Sequence, residues 1–237
     1  MHIELTDKGI IAWCEPLAQQ LAPAQFQAEY WQQLNAIIGQ SKGRYTTWFV
    51  EHSQQRWVLR HYWRGGLIEK FSRDAYVFTG MARTRAVAEL ALLEKLYDEG
   101  LPVPRPIAAN VERFGIWYRA DLIIELIDGA KDLVAYLSKV AMNDQQWQQL
   151  GAVIATFHNR GVYHADLNAK NILLATEQFY LIDFDRGAIK TPAKQWQQAN
   201  LSRLLRSFNK EKTKLPSLNF NDANWQLLLK GYEKAIN

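Results

Sequence analysis

The sequence predicts an α+β fold in two lobes, a small β-rich N-terminal lobe over residues 1–126 and a mainly helical C-terminal lobe over residues 127–237. Three observations predict it. Strand-like runs rich in β-branched and aromatic residues cluster early, at 45–50, 56–62 and 119–126. Apolar residues at helical spacing dominate late, at 144–159, 195–208 and 221–235. No repeat, low-complexity tract or Gly/Ser linker separates the two regions, so both belong to one domain. With 48% hydrophobic residues in 237, the chain has enough apolar surface to bury a full core.

Each element has a local reason. Pro23 precedes Phe26, Tyr30 and Leu34 at fourfold spacing, which predicts an early amphipathic helix with Pro in its first turn. Gly39 and Gly43 then bracket a polar turn ahead of the strand at 45–50, which pairs with 56–62. A glycine turn before a hairpin lets backbone N–H groups approach phosphate because no side chain intervenes; two glycines four apart are equally ordinary turn residues. A helix over 84–99 buries Val87, Leu90, Ala91, Leu93 and Leu96, carries Glu89 and stops at Gly100. Pro102, Pro104 and Pro106 impose extended backbone after it. The strand at 119–126 runs into Glu125-Leu126-Ile127-Asp128-Gly129, the expected junction of the lobes. Beyond it, the helix at 144–159 puts Trp147, Leu150, Val153, Ile154 and Phe157 on one face and ends before Gly161, with His158 as a helix-end residue.

The chemistry concentrates in His164-Ala165-Asp166-Leu167-Asn168-Ala169-Lys170-Asn171 and in Leu181-Ile182-Asp183-Phe184-Asp185-Arg186. An Asp five residues before an Asn, then an apolar strand, then a second Asp ending another strand, is the order of parts that phosphoryl transfer requires. Asp166 is the candidate base for the attacking hydroxyl. Asn171 and Asp183 are candidate Mg²⁺ ligands, because that hard cation takes one or two protein oxygens and completes its shell with phosphate and water. His164, two before Asp166, reads as a brace for this loop. Ordinary hairpins with solvated carboxylates would explain either block alone; two matched blocks in this order shrink that reading. In such a site a strand cation grips the nucleotide phosphates and is fixed by a helix carboxylate. Arg60 and Glu89 are the candidates, with Arg64 as the alternative cation; each also reads as surface charge. Backbone groups at Glu125 and Ile127 are the candidate adenine contacts.

Composition excludes several other classes. A single cysteine, Cys14, permits no internal disulfide and fits a reducing compartment. The first residues carry acids where a signal peptide needs a basic start and an apolar run, so no export is expected. Apolar runs such as Leu122-Ile123-Ile124 fall far short of the ~20 residues of a membrane span. The net charge of +4 gathers in two groups, Arg203, Arg206, Lys210, Lys212 and Lys214, and Arg56, Arg60, His61, Arg64, Lys70 and Arg73. Such clusters suit an anionic partner. Nothing resembles a nucleic-acid-binding motif, whereas a phosphorylated lipid headgroup fits, and no feature points to a protein partner.

These residues carry a resemblance. Val58-Leu59-Arg60-His61-Tyr62-Trp63-Arg64-Gly65-Gly66-Leu67-Ile68, Gly100-Leu101-Pro102-Val103-Pro104, the two blocks above and Asn200-Leu201-Ser202-Arg203-Leu204-Leu205-Arg206-Ser207-Phe208 resemble the 3-deoxy-D-manno-octulosonic acid (Kdo) kinases, in the lipopolysaccharide-kinase branch of the protein-kinase-like superfamily. The Arg-Gly-Gly and Asp-Phe-Asp-Arg-Gly pieces are the most specific and favour this group over the heptose kinases. The resemblance implies a protein-kinase-like two-lobed fold and transfer of the ATP γ-phosphate to the 4-hydroxyl of Kdo on a lipid A precursor. It places that activity at the cytoplasmic face of the bacterial inner membrane, with peripheral contact to an anionic surface through the basic clusters around Arg203 to Lys214 and Arg64 to Arg73, either of which is alternatively a grip for the Kdo carboxylate. A heptose, other sugar or protein kinase of the same fold, and a non-catalytic module, are the alternatives; the retained Asp166, Asn171 and Asp183 weigh against the last. Two departures from the protein-kinase pattern stand out: Arg60 where a Lys is usual, and Asp185 in place of the Gly after Asp-Phe. Asn168 also occupies the position of a phosphate-side Lys, and Lys170 is the candidate substitute.

Overall fold

Strand alternation in the first half of the chain is realised as one antiparallel sheet. The structure is a computed structural model and describes residues 1–15, 21–42, 46–64 and 74–237. It divides into two units, Met1–Asp98 with Pro104–Leu126, and Glu99–Val103 with Ile127–Asn237.

In the first unit the chain forms β1 (His2–Thr6), β2 (Gly9–Trp13), α1 (Ala28–Gln33), β3 (Ile37–Lys42), β4 (Thr46–His52), β5 (Gln55–His61), β6 (Tyr76–Val77), α2 (Arg85–Asp98), β7 (Pro106–Phe114) and β8 (Trp117–Glu125). The sheet order is β1-β2-β7-β8-β5-β4-β3, with β6 also paired to β8. Side chains of a strand alternate between faces. Trp57 and Leu59 of β5 therefore enter a cluster with Phe26, Trp31, Val50 and Ile123, while Arg60 meets α2 on the other face. Cys14, just past β2, is buried, and desolvation first, then the Glu94 carboxylate, pushes its thiol up to about 12.

Three expectations are corrected here. The early helix is broken: a 3-10 turn covers Pro23–Phe26, Gln27 is extended at φ −103°, and α1 starts only at Ala28. Phe26 and Trp31 are the buried anchors and Leu34 is exposed, because fourfold spacing means nothing across a break in the helix. Gly39 lies within β3, opposite Phe49 beside a bulge, so it is a strand residue and not part of a phosphate-facing turn. Gly43, with Lys70 and Arg73, falls outside the described residues. In α2, Ala91 is exposed, at ~100° per residue lying about 40° outside Val87, the edge of the stripe of Val87, Leu90, Leu93 and Leu96.

The second unit contains β9 (Lys131–Asp132), α3 (Leu133–Leu137), α4 (Asp144–Asn159), β10 (Val162–Tyr163), β11 (Ile172–Ala175), β12 (Gln178–Leu181), β13 (Ala188–Ile189), α5 (Lys194–Lys214) and α6 (Asp222–Ala235). Asn143 caps α4 reciprocally with Gln146, and Gly161 follows the helix at φ +81°, which explains why both ends match the spacing. Val153 is only half-buried. Helix α5 runs six residues past the predicted end, because the polar stretch from Asn209 to Lys214 has no apolar period yet favours helix and adds a Lys214–Glu211 pair. Helices α4 and α6 cross backbone to backbone at Gly151 and Gly231, where a Cβ would stand 2.0 Å from the Leu228 carbonyl and 1.9 Å from that of Gln148.

Candidate active site

The loop between β10 and β11 is built around Asn168. Its side-chain oxygen accepts the N–H groups of Lys170 (2.9 Å) and Asn171 (3.2 Å), capping the 3-10 turn Ala169–Asn171. Its amide nitrogen donates to the Asp166 carbonyl (3.1 Å) and to the Asp166 carboxylate (3.2 Å). Asn168 thus shapes the turn and aims the candidate base in one stroke. Asp166 itself is exposed, as an acceptor of a substrate proton must be, and Arg203 of α5 reaches its Oδ1 at 3.5 Å.

Behind this loop stands His164, 2% exposed. Its Nε2 meets the Ile182 carbonyl at 2.9 Å and its Nδ1 accepts the Asp166 N–H at 3.2 Å, which fixes the tautomer as Nε2–H. Burial is the largest influence and holds the imidazole below its ordinary value, so it is neutral near pH 7 and acts as a spacer. The Asn200 side chain secures the His164 carbonyl at 3.0 Å, and Ser207 Oγ accepts the Ala169 N–H at 3.1 Å, so α5 is pinned to the loop at two points.

Asn171 donates its side-chain N–H to the Asp166 carbonyl at 3.0 Å, leaving Oδ1 as the atom a metal would use. The Ile182 N–H donates to the Asn171 carbonyl at 3.0 Å, which brings the segment bearing Asp183 alongside. Asp183 adopts φ +61°, a left-handed turn that Asp and Asn tolerate better than most residues, and Phe184 is fully buried between Phe157 and His164. Two hard oxygen donors on adjoining segments fit Mg²⁺ completed by phosphate and water. Among the described residues no three His, Cys, Asp or Glu side chains converge as an all-protein cage would need. Lys170, half-exposed, has Glu211 at 3.8 Å, and Asp185 is half-buried with Arg186 Nε at 3.9 Å.

In the first unit, Arg60 and Glu89 are brought together as a direct ion pair. Tyr62 donates to the same carboxylate at 2.6 Å and accepts from Arg60 at 2.8 Å. Glu89 is 3% exposed, so its reading as a surface charge is set aside. Arg64 lies over the Tyr76 ring at 5.3 Å. The Glu125 N–H is committed to the Arg105 carbonyl at 2.9 Å, so adenine contact at Glu125 has to use its carbonyl; the Ile127 carbonyl accepts from Ala130 at 3.3 Å. A cavity of about 1200 Å³ is lined by Leu59 and His61, on the sheet face opposite Arg60. His61 is there clamped by Asp121 (2.6 Å) and Asp74 (3.4 Å), which outweigh its burial and hold it above its ordinary value. The basic group around Arg56 is therefore not one patch: Arg56 pairs with Glu51, Arg60 with Glu89 and His61 with two acids.

From sequence, Asn168 reads only as the position of a missing Lys, and Arg203 only as one member of a basic cluster suited to an anionic surface or to the Kdo carboxylate. An Asn two residues past the candidate base is the signal of an Asx cap; the signal for Arg203 is its place in the middle of a helix face, Asn200, Arg203 and Ser207.

The model of the lipopolysaccharide kinase (Kdo/WaaP) family matches residues 28–232. A protein of Photobacterium profundum named 3-deoxy-D-manno-octulosonic acid kinase is 46% identical over 227 residues, covering 95% of each chain. Proteins of the same name from Mannheimia succiniciproducens and Vibrio vulnificus are 45% and 46% identical, over 88% and 89% of this chain and 89% of each relative.

Proposed function

The chain belongs to the lipopolysaccharide kinase (Kdo/WaaP) family, and from that premise we propose that it transfers the ATP γ-phosphoryl group to the 4-hydroxyl of Kdo on a lipid A precursor. It is an ATP-dependent phosphotransferase with an alcohol acceptor, acting on Kdo in lipopolysaccharide core biosynthesis. The α+β architecture, β-rich first and helical after, is that of the family. The observation that carries the finer reading is the exposed Asp166 carboxylate, aimed by Asn168 in a loop that also offers the Asn171 oxygen.

In the reaction proposed, Asp166 accepts the proton of the acceptor hydroxyl as its oxygen forms the bond to the γ-phosphorus and the bond to the ADP oxygen breaks. Arg60, fixed by Glu89 and Tyr62, supplies positive charge to the nucleotide phosphates. Asn171 Oδ1 and the Asp183 carboxylate would hold Mg²⁺, which when bound neutralises charge on the phosphate oxygens. Glu125 and Ile127 supply backbone contacts to adenine, and the site faces a lipid surface at the cytoplasmic side of the inner membrane. No helix among the described residues is long and apolar enough to cross a membrane, so contact there is peripheral in this reading.

An ATP-to-ADP assay with defined Kdo-bearing lipid, followed by product mass and linkage analysis, tests the proposal. The expected product carries one phosphate at the Kdo 4-position. Asp166→Ala should lower turnover by roughly 10²- to 10⁴-fold while ATP still binds. Phosphate on another sugar, or on Kdo at another hydroxyl, would replace the acceptor assignment.

A further inference from the structure

We propose that Arg203 is the acceptor-side anion clamp, its guanidinium binding the carboxylate of the acidic sugar beside Asp166 and so setting preference for the acid over uncharged analogues. The inference rests on the reading of the chain as a kinase of 3-deoxy-D-manno-octulosonic acid.

Position comes first. Asn200, Arg203 and Ser207 share one face of α5, being three and four residues apart. Asn200 and Ser207 hydrogen-bond the catalytic loop at the His164 carbonyl and the Ala169 N–H, so Arg203 leaves a stretch of helix fastened to that loop on both sides. Its location beside Asp166 is thus built in, unlike that of a wandering surface cation.

Charge comes second. A sugar acid delivers a carboxylate to a loop that already presents Asp166, and two carboxylates in one site repel unless a cation lies with them. Among the described residues, Arg203 is the cation within ion-pair distance of Asp166. Lys170, on the loop itself, is drawn to Glu211, which also holds Lys214 at 2.6 Å.

Capacity comes third. The contact with Asp166 is single and long, 3.5 Å from Nη1 to Oδ1, between side chains 45% and 57% exposed. It engages one of the five N–H donors of a planar fork whose geometry matches a second carboxylate in two-pronged fashion. An ammonium could supply the charge without the fork.

The test compares kcat/KM for a Kdo-terminated lipid acceptor and its C1 methyl ester in the wild type, Arg203→Ala and Arg203→Lys, using the full chain. The wild type should prefer the acid by roughly 10- to 100-fold, chiefly through KM, as expected for a hydrogen-bonded charged group. Arg203→Ala should bring that preference close to unity, and Arg203→Lys should restore part of it. Alanine suits an exposed helical position, and circular dichroism verifies the fold of each variant. An acid-to-ester ratio unchanged in Arg203→Ala overturns the clamp, even if both rates fall, because Arg203 would then act on Asp166 alone. If the wild type phosphorylates neither acceptor, the Kdo reading falls and takes the clamp with it; the wild-type lanes distinguish that failure from the first.

Discussion

Arg60 is held by a carboxylate and a hydroxyl at once, and that arrangement decides what its replacement should do. Arg60→Lys keeps the charge but loses the fork, so it should retain part of the ATP affinity. Arg60→Ala should raise KM for ATP and lower stability by about 3 kcal/mol, since it leaves the Glu89 carboxyl buried without its cation. ATP titration and urea unfolding of both variants check this; unaltered ATP affinity in Arg60→Ala would move the phosphate contact to Arg64. Asp183→Asn is a clean test of the metal assignment, because Asn also tolerates the left-handed backbone there. It should weaken ATP binding in the presence of Mg²⁺ and leave metal-free binding little changed, with Asn171→Ala showing a milder version in the same paired titrations. At this scale the sequence was readable where a side chain's role follows from its element. Glu89 sits on the buried stripe of α2 and Arg60 on a strand, so the pair was foreseeable. Asn168 was not, and Arg203 was legible only as one of a cluster of cations, because their places depend on hydrogen bonds within one turn and on a helix that returns to the loop 37 residues later.

Helices α4 and α6 approach so closely that their contact has no room for a methyl group. Gly151→Ala gains helix propensity of up to ~1 kcal/mol, yet it sets a Cβ at 2.0 Å from the Leu228 carbonyl. The net effect should be destabilisation by at least about 1–3 kcal/mol, read from the urea midpoint; a neutral outcome would mean that the crossing relaxes freely. The same helix pair contains an acid-sensitive point. His158 is buried with its Nδ1 2.8 Å from the Tyr232 hydroxyl, and desolvation, the largest influence, pulls it down to about 4. Since the unfolded chain protonates near 6.5, unfolding takes up a proton between pH 6.5 and 4. Stability should therefore be full above pH 6.5 and decline by about 3 kcal/mol toward pH 4, and His158→Gln should flatten that limb in a thermal melting series. Elements with explicit stop signals were legible to the residue: α4 has Asn143 before it and Gly161 after it. The early helix was not, because nothing in the spacing of Phe26, Tyr30 and Leu34 announces the extended Gln27.

The net charge of +4 is redistributed by the fold. Pairing with acids removes Arg56, Arg60 and His61 from the list of free surface cations, whereas Arg206 and Lys210 remain exposed on α5. Within the peripheral reading, each Lys or Arg near an anionic surface contributes about 1 kcal/mol and is screened beyond a Debye length of ~10 Å at 0.1 M salt. Sedimentation with anionic vesicles should accordingly fall as salt rises and weaken in the double variant Arg206→Glu, Lys210→Glu. Binding indifferent to salt would sink this route to the membrane without touching the chemistry of Asp166. The β-to-helical division was visible in the sequence because strand and helix periods differ; the dispersal of charge was not, because neighbouring residues on β5 face opposite ways. One further property follows from Cys14. It is the only sulfhydryl in 237 residues, it lies in the first unit, and its elevated pKa keeps it protonated and shielded while β2 is in place. A thiol reagent in solution therefore has one target, 4% exposed and shielded while the segment just past β2 stays packed. Its modification rate acts as a clock for local opening of the β-rich unit, against which the helical unit, holding no sulfhydryl, is silent.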